Sequence, residues 1–578
     1  MMHQKYSLLS ETRYPIKLGS RGPLESRSRK TKYCHSKLEH TALRVLQTER
    51  ETEYLNESLE KPEICITETQ AADAFPWFEH WCPAAPVSSL DPNRPTHISM
   101  MGLDLVVWNS DGTSSGWHCF EDMCPHRLAP LSEGRVENGQ LHCAYHGWQF
   151  NSKGSCMKIP QIADAEKHAN SCSSSRCSVR NYPVNVSQGL LWILPLPGPM
   201  GEAAAAAKPS PGVPELEEAA KNVWYQRTGW FVRDLPLRFD TAMENILDPS
   251  HVPFAHHGVQ GNRKKVVHRE MHIIDQKVTK DVGFKIVNEP PQSSATTLKT
   301  ASADTQHLTQ DSAQIKSTSK SGANDAKNTG FKSNFGFQPP FLVSYEVGSF
   351  GAMKVLATPT KPGWSRMFVS FLGRHDAKLP WFLKALIMLK EGNPAIEHAL
   401  ARHPVLDGDT YMLHLEERKL LARGNNWSRE YFMPANADTG VIAWRRWLRD
   451  FGGEVPTLRA TDVMPDAMPR EQVLDRYHQH TKNCKDCQQA VKITDILSGI
   501  CLAVAALSTI IFISKLTTVM SIAAQPHSTT LVTALMSVLQ QPSSGLAVAL
   551  VVVGIFTWRA LQRFRRNFFF TDYVHAFK

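Results

Sequence analysis

From about residue 75 to residue 196 the chain alternates short apolar runs with clusters of Gly, Pro, Asn and Asp. The runs LDLVVWNS, WHCFE, LHCAYHGWQF and GLLWILPL have strand length, and the turn residues between them predict a small antiparallel β domain over 75–196. A second region, 221–475, carries strand-like PFLVSYEVG, GAMKVLATP and MFVSFLG followed by the helix-like WFLKALIMLKEGNPAIEHALARH. This mixture predicts an α+β domain. Between the two, residues 197–220 contain the Ala- and Pro-rich GEAAAAAKPSPGVPE, which reads as a linker. Within the second region, 289–333 is rich in Ser, Thr, Lys, Gln and Ala with almost no aromatics, the pattern of a low-complexity insertion. The pattern changes again near the end. Residues 496–514 form a 19-residue uncharged, mainly apolar run, enough to cross a hydrocarbon core of ~30 Å. Residues 545–558 form a shorter run that reads as a second span or a buried helix. Two spans would make 493–562 a membrane hairpin, with Arg559, Arg563, Arg565 and Arg566 on the positive side and a basic, aromatic tail over 563–578.

Composition sharpens this outline. With 578 residues, 42% of them hydrophobic and 14 of them Trp, the chain can build more than one sizeable core. The net charge of +9 does not point to nucleic acid, because the basic residues gather at the two ends and no nucleic-acid motif is visible. Nine Lys or Arg fall between Lys5 and Lys37, against Glu11 and Glu25. Such a basic, hydroxyl-containing leader over 1–60 reads as an organelle transit peptide or as a disordered basic tail. The 12 Cys show no dense disulfide spacing, which suits a reducing compartment.

Two motifs carry chemistry. Cys124-Pro-His126 and Cys143-Ala-Tyr-His146 pair two thiolates with two imidazoles across sixteen intervening residues. That donor set suits a two-iron, two-sulfur cluster with thiolates on one iron and imidazoles on the other; zinc accepts the same donors. Further on, Asn245, Asp248, His251 and His256 fall in ENILDPSHVPFAH. Two His and a carboxylate on one face form the triad that holds non-haem iron(II) with open positions. Residues five apart on an ideal helix are separated by ~140°, so His251 and His256 need an irregular backbone, which Pro249 and Pro253 supply. His257 competes with His256, and the spacing Asp-x-x-His-x-x-x-x-His selects His256.

The flanks CPHRLAPLSEGRV and CAYHGWQF resemble the cluster-binding loops of Rieske proteins, and the order of loops, linker and iron motif resembles the Rieske non-haem iron oxygenases. The resemblance implies a Rieske β domain joined to a helix-grip catalytic domain. It implies Cys124, His126, Cys143 and His146 as ligands of a 2Fe-2S cluster, and His251, His256 and a later Asp as ligands of one mononuclear Fe(II). Asp409 in VLDGDTYMLHLEE aligns with that Asp; Asp407 is the alternative, and Asp-Gly is also an ordinary turn pair. Asp248 would link His251 to a cluster histidine of a neighbouring subunit in a homotrimer, with Asn245 beside it. Cys156 reads as packed. Cys484-x-x-Cys487, in segment 476–490, reads as a redox pair, as half a metal site completed by His478 and His480, or as reduced structural thiols. Its place before apolar helices, and the ending TDYVHAFK, resemble the pheophorbide a oxygenase subgroup. That subgroup implies ferredoxin as electron donor, O2 and a chlorophyll-derived tetrapyrrole as substrates, and a plastid membrane (inner envelope or thylakoid) with the catalytic domain facing the stroma. Another tetrapyrrole hydroxylase and a translocon-associated redox sensor are the competing expectations.

Overall fold

The computed structural model describes residues 74–266, 270–289, 333–347, 351–377, 380–382, 385, 387, 391–459, 461–523 and 531–577. The leader and most of the 289–333 insertion lie outside the described residues.

The first region folds into three small antiparallel sheets. Strand Leu103–Asn109 pairs with Thr96–Met100 on one side and Trp117–Glu121 on the other, and Asn181–Tyr182 completes that sheet. Arg135–Glu137, Gln140–His142, Gln149–Phe150 and Cys156–Lys158 form the second, and Cys82–Pro86, Leu190–Ile193 and Val184–Ser187 the third. Three hairpins turn on two residues that both have positive φ: Met101-Gly102, Asn138-Gly139 and Gln188-Gly189. That geometry matches the right-handed twist of the flanking strands. The run LHCAYHGWQF is not one strand; it leaves the sheet after His142 and re-enters at Gln149, and the loop between holds Cys143 and His146.

The second region is built on an eight-stranded antiparallel sheet. From one edge its path is Trp224–Gln226, Ser365–Arg374, Gly351–Pro359, Leu342–Val347, Ser333–Gln338, Phe284–Glu289 and Glu270–Ile273, with Phe231–Leu235 also pairing to Ser365–Arg374. Helices Phe239–Ile246 and Thr439–Trp447 cover it, where Phe239, Phe337, Trp444 and Trp447 stack edge to face or in parallel. Trp77 joins this aromatic core and donates its Nε1–H to Gly452 O at 2.7 Å. One continuous core therefore includes residues from both regions.

The Ala- and Pro-rich stretch between them is ordered. Its alanines extend helix Gly198–Ala206, as their propensity favours. Val213 is buried, its N–H and C=O both hydrogen-bonded to the Gln188 side chain, and Glu215 pairs with the buried Lys354 of the large sheet. The helix-like run before Asp409 is interrupted at Asn393, whose side chain caps a new helix at the Ile396 N–H. That helix passes through a π-turn, His398–Arg402, into helix His403–Ala422.

At the C-terminal end, helix Lys485–Ala523 lies antiparallel to helix Pro542–Arg566. Gln562 reaches Ser498, and Arg565 reaches Asp495. Both helices are long and apolar enough to cross a membrane, with most of their apolar residues facing outward. The second exceeds the 545–558 run because polar residues at each end continue the helix.

Candidate active site and metal centres

The two loops bearing the first motif share one hydrogen-bond pattern. The Cys124 N–H donates to Ala129 O and the Leu128 N–H to Cys124 O; the Cys143 N–H donates to Trp148 O and the Gly147 N–H to Cys143 O. The fifth residue of each loop is left-handed, with φ 61° at Leu128 and 71° at Gly147. A leucine there is strained by ~1–2 kcal/mol. The loops face each other: Cys124 and Cys143 are buried, while His126 is exposed and its ring lies 4.4 Å from that of His146. His126 also stacks flat on Trp148, at 4.7 Å. Burial, reinforced by the neighbouring Cys143, pushes the Cys124 thiol up to about 12, so thiolates here require a bound cation. His146 Nδ1 is buried with no hydrogen-bond partner, as a ligating nitrogen would be. The pocket fits a cluster whose thiolate end is enclosed and whose imidazole end meets the surface.

The second motif begins where helix Phe239–Ile246 ends. Asp248 accepts hydrogen bonds from the N–H and hydroxyl of Ser250, turning the chain into the short helix Val252–Ala255. His251 and His256 are the caps of that helix, so neither is held to ideal helical spacing. Their Nε2 atoms lie 3.2 Å apart. Asp409 Oδ2 lies 3.1 Å from His256 Nε2 and 3.7 Å from His251 Nε2. Helix His403–Ala422 delivers Asp409, and Gly408 lets it approach: a Cβ there would sit 2.9 Å from both Ala255 O and His256 Nδ1. Asp407 and Asp409 therefore lie in a helix, not a turn, ~200° apart around its axis. Asp407 faces away from the histidines and is clamped by Arg233 at 2.7 Å and Arg476 at 2.6 Å, all three fully buried.

Electrostatics favour a cation at the convergence. Burial alone would lower the His251 pKa, yet the Asp248 and Asp409 carboxylates raise it above the ordinary imidazole value. Burial works upward on Asp248, but hydrogen bonds from His251 and Ser250 hold it below the usual carboxylate range. The three converging atoms open onto a cavity of about 880 Å³. Met353, Val355, Met367 and Val369 make it largely apolar, and Asn245, Asp248 and Lys265 contribute polar groups.

The sequence-based grouping around Cys484 and Cys487 changes in the structure. His480 lies 3.3 Å from Cys487 Sγ, but His478 turns outward to Asp475 and is exposed. The other histidine at the pair is His398, from the π-turn. It belongs to no local motif, and its 82-residue separation from His480 hid it from a reading based on spacing. Cys156 is buried, 3.7 Å from Cys172.

Comparison with known proteins agrees with this architecture. The Rieske [2Fe-2S] domain family matches residues 80–183, and the family described as pheophorbide a oxygenase matches residues 337–427. The chain is 30% identical over 536 residues to pheophorbide a oxygenase, chloroplastic, of Oryza sativa subsp. japonica, covering 88% of this chain and 86% of that one. It is 29% identical over 455 residues to flavonoid 8-hydroxylase 2, chloroplastic, of Ocimum basilicum, covering 75% and 76%. It is also 29% identical over 454 residues to protochlorophyllide-dependent translocon component 52, chloroplastic, of Arabidopsis thaliana, covering 74% and 76%.

Proposed function

The chain belongs to the pheophorbide a oxygenase family of Rieske non-haem iron oxygenases, and from that premise we propose that it oxygenates a chlorophyll-derived tetrapyrrole, pheophorbide a first among them, in chlorophyll breakdown. The observation that carries this reading is the His251–His256–Asp409 convergence at the wall of a large apolar cavity. At about 880 Å³ the cavity stands near the upper end of the ~300–1,000 Å³ usual for small-molecule sites, which favours a bulky, flat, apolar substrate.

In this reading Cys124, His126, Cys143 and His146 hold the 2Fe-2S cluster, and His251, His256 and Asp409 hold the mononuclear iron. The bound cofactors supply single electrons and dioxygen activation, respectively. The chain's own groups do the rest. Met353, Val355, Met367 and Val369 exclude water and hold the macrocycle by apolar contact, while Lys265 offers a cation to a substrate carboxylate. Asp248, ionised and 3.5 Å from His251 Nδ1, orients that imidazole and stays partly exposed on its other side. A cluster histidine of a neighbouring subunit in a homotrimer would meet it there, with Asn245 lining the approach. Ferredoxin is the electron donor that suits the exposed imidazole end of the cluster. The antiparallel helices Lys485–Ala523 and Pro542–Arg566 would anchor the chain in a plastid membrane, leaving the catalytic domain in the stroma where ferredoxin can reach it.

The test is single-turnover assay of the full chain in detergent with reduced ferredoxin, then oxygen, against pheophorbide a, protochlorophyllide and a flavonoid. Oxygen-dependent loss of pheophorbide a is expected. Turnover of either other compound with pheophorbide a untouched would overturn the substrate, and no turnover of any, with the cluster intact, would favour a redox-sensing role.

A further inference from the structure

We propose that His398, His480, Cys484 and Cys487 form a closed, four-coordinate zinc site distinct from both iron centres. The four donor atoms lie within 4.8 Å of one another and all four residues are buried. His480 Nε2 is 3.2 Å from His398 Nδ1 and 3.3 Å from Cys487 Sγ; His398 Nδ1 is 3.3 Å from Cys487 Sγ and 3.8 Å from Cys484 Sγ. A tetrahedral ion with ordinary Zn–N and Zn–S bonds spaces its ligands roughly 3.3–3.8 Å apart. Four of the six donor–donor separations fall at or within about 0.1 Å of that range, and the other two stay within 4.8 Å. A two-iron cluster would push the cysteine and histidine pairs further apart, across the width of its core.

The surroundings prepare these atoms for a metal. His480 donates its Nδ1–H to Val232 O, which fixes the tautomer and leaves Nε2 bare and aimed at the sulfurs. Phe231 stacks on the His480 ring and meets the His398 ring edge-on, and Ala399 and Phe568 complete an apolar casing. These apolar side chains offer the four donors no hydrogen bond, and the neighbouring imidazole, His403, is turned to Arg233 through its Nδ1. A Cys484–Cys487 disulfide would account for two of them and leave two imidazole nitrogens facing sulfur in a dry pocket. One divalent ion with two thiolates satisfies all four and leaves no net charge. Among the described residues the group holds four buried donors and no fifth, which is the closed donor set of a structural ion and not a catalytic one.

Its placement gives it leverage. His398 sits at the π-turn that runs into the helix of Asp407 and Asp409; Cys484 and Cys487 flank the start of helix Lys485–Ala523; His480 is tied to strand Phe231–Leu235. The zinc would bolt the first apolar helix to the helix that delivers Asp409.

The experiment takes the full chain, purified in detergent under reducing conditions. Elemental analysis should find one zinc per chain beside the iron, and zinc-edge X-ray absorption should give two sulfurs at ~2.3 Å and two nitrogens at ~2.0 Å. Cys487→Ser and His398→Gln should each lose zinc while keeping the Rieske paramagnetic resonance signal. Should those variants fail to fold, the wild-type chain still decides: Cys484 and Cys487 should resist alkylation until a chelator removes the zinc. Absence of zinc, a shell without sulfur, iron in that shell, or a Cys484–Cys487 disulfide in the isolated protein would overturn the site. None of these readouts depends on the substrate, so failure here and failure of the oxygenase reading are separable.

Discussion

Placing a methyl group on Gly408 tests the packing that brings Asp409 to the histidines. Two effects compete. In an open helix, Gly→Ala stabilises by ~1 kcal/mol through backbone entropy. In helix His403–Ala422 the new Cβ would lie 2.9 Å from Ala255 O and 2.9 Å from His256 Nδ1, with His256 Cε1 at 3.4 Å. A carbon needs ~3.5 Å from such neighbours, so something must retreat by roughly half an ångström. The first obstacle is backbone, and the second is a ring already fixed by its place in the triad. Overpacking of this kind costs ~1–3 kcal/mol, so the net loss of stability should fall between about zero and 2 kcal/mol. The displacement matters more for function. A shift of ~1 Å in a reacting geometry costs on the order of 100-fold in rate, and half of that suggests about 10-fold. Gly408→Ala should therefore unfold within a few degrees of wild type and show the full Rieske paramagnetic signal. Mononuclear iron per chain and single-turnover rate should fall about 10-fold. Wild-type iron occupancy together with wild-type turnover would refute the close approach of the two helices.

Four other outcomes follow from the same geometry. Asp407→Ala leaves Arg233 and Arg476 buried without their shared carboxylate and should destabilise by ~3–5 kcal/mol in denaturant titration, whereas Asp409→Ala should keep the fold and the cluster and lose only mononuclear iron. Asp248→Asn should retain both metals while electron transfer from a photoreduced cluster to the mononuclear site, followed by flash spectroscopy, slows at least 100-fold. Burial pushes Glu417 up from an ordinary 4.5 to about 8, so its protonated form favours the folded chain: that contribution is complete below pH 4.5 and is lost as pH rises toward 8. Glu417→Gln should flatten the pH dependence of thermal stability across that window, at a pH-independent cost because its amide NH2 must face either the Arg238 N–H or the Arg418 guanidinium. Alkaline carbonate should leave the full chain in the membrane pellet, and removal of 493–562 should release it.

Much of this was written locally in the chain. The Cys-x-His and Cys-x-x-His loops declare themselves because each is a single turn whose ligands are neighbours in sequence. Asn138-Gly139 announces its hairpin in the same way. The preference for Asp409 over Asp407 came from the family resemblance and not from local pattern, since both flank one glycine; helical phase sends Asp407 to the arginines and Asp409 to the histidines. His398 was invisible because nothing near it in sequence shares its task, and His478 was a decoy for the opposite reason. Composition marked 197–220 as a linker, but not what orders it. Gln188 and Lys354, distant in sequence, hold that stretch down.

The tail has a consequence for how the protein is made. Tyr573, buried near the end of the chain, donates its hydroxyl hydrogen to Ala255 O at 2.7 Å, between the two histidines of the triad. Arg470 holds it there through the Tyr573 carbonyl and Asp572. The brace on the first half of the iron site is therefore made after both apolar helices, 318 residues after the Ala255 it supports. Maturation runs backwards along the chain: a nascent polypeptide can acquire its Rieske domain early, but its oxygen-handling centre waits for a segment made after the two apolar helices. Truncations that stop before the two apolar helices would discard this brace with them, and should be expected as electron carriers without an oxygenase.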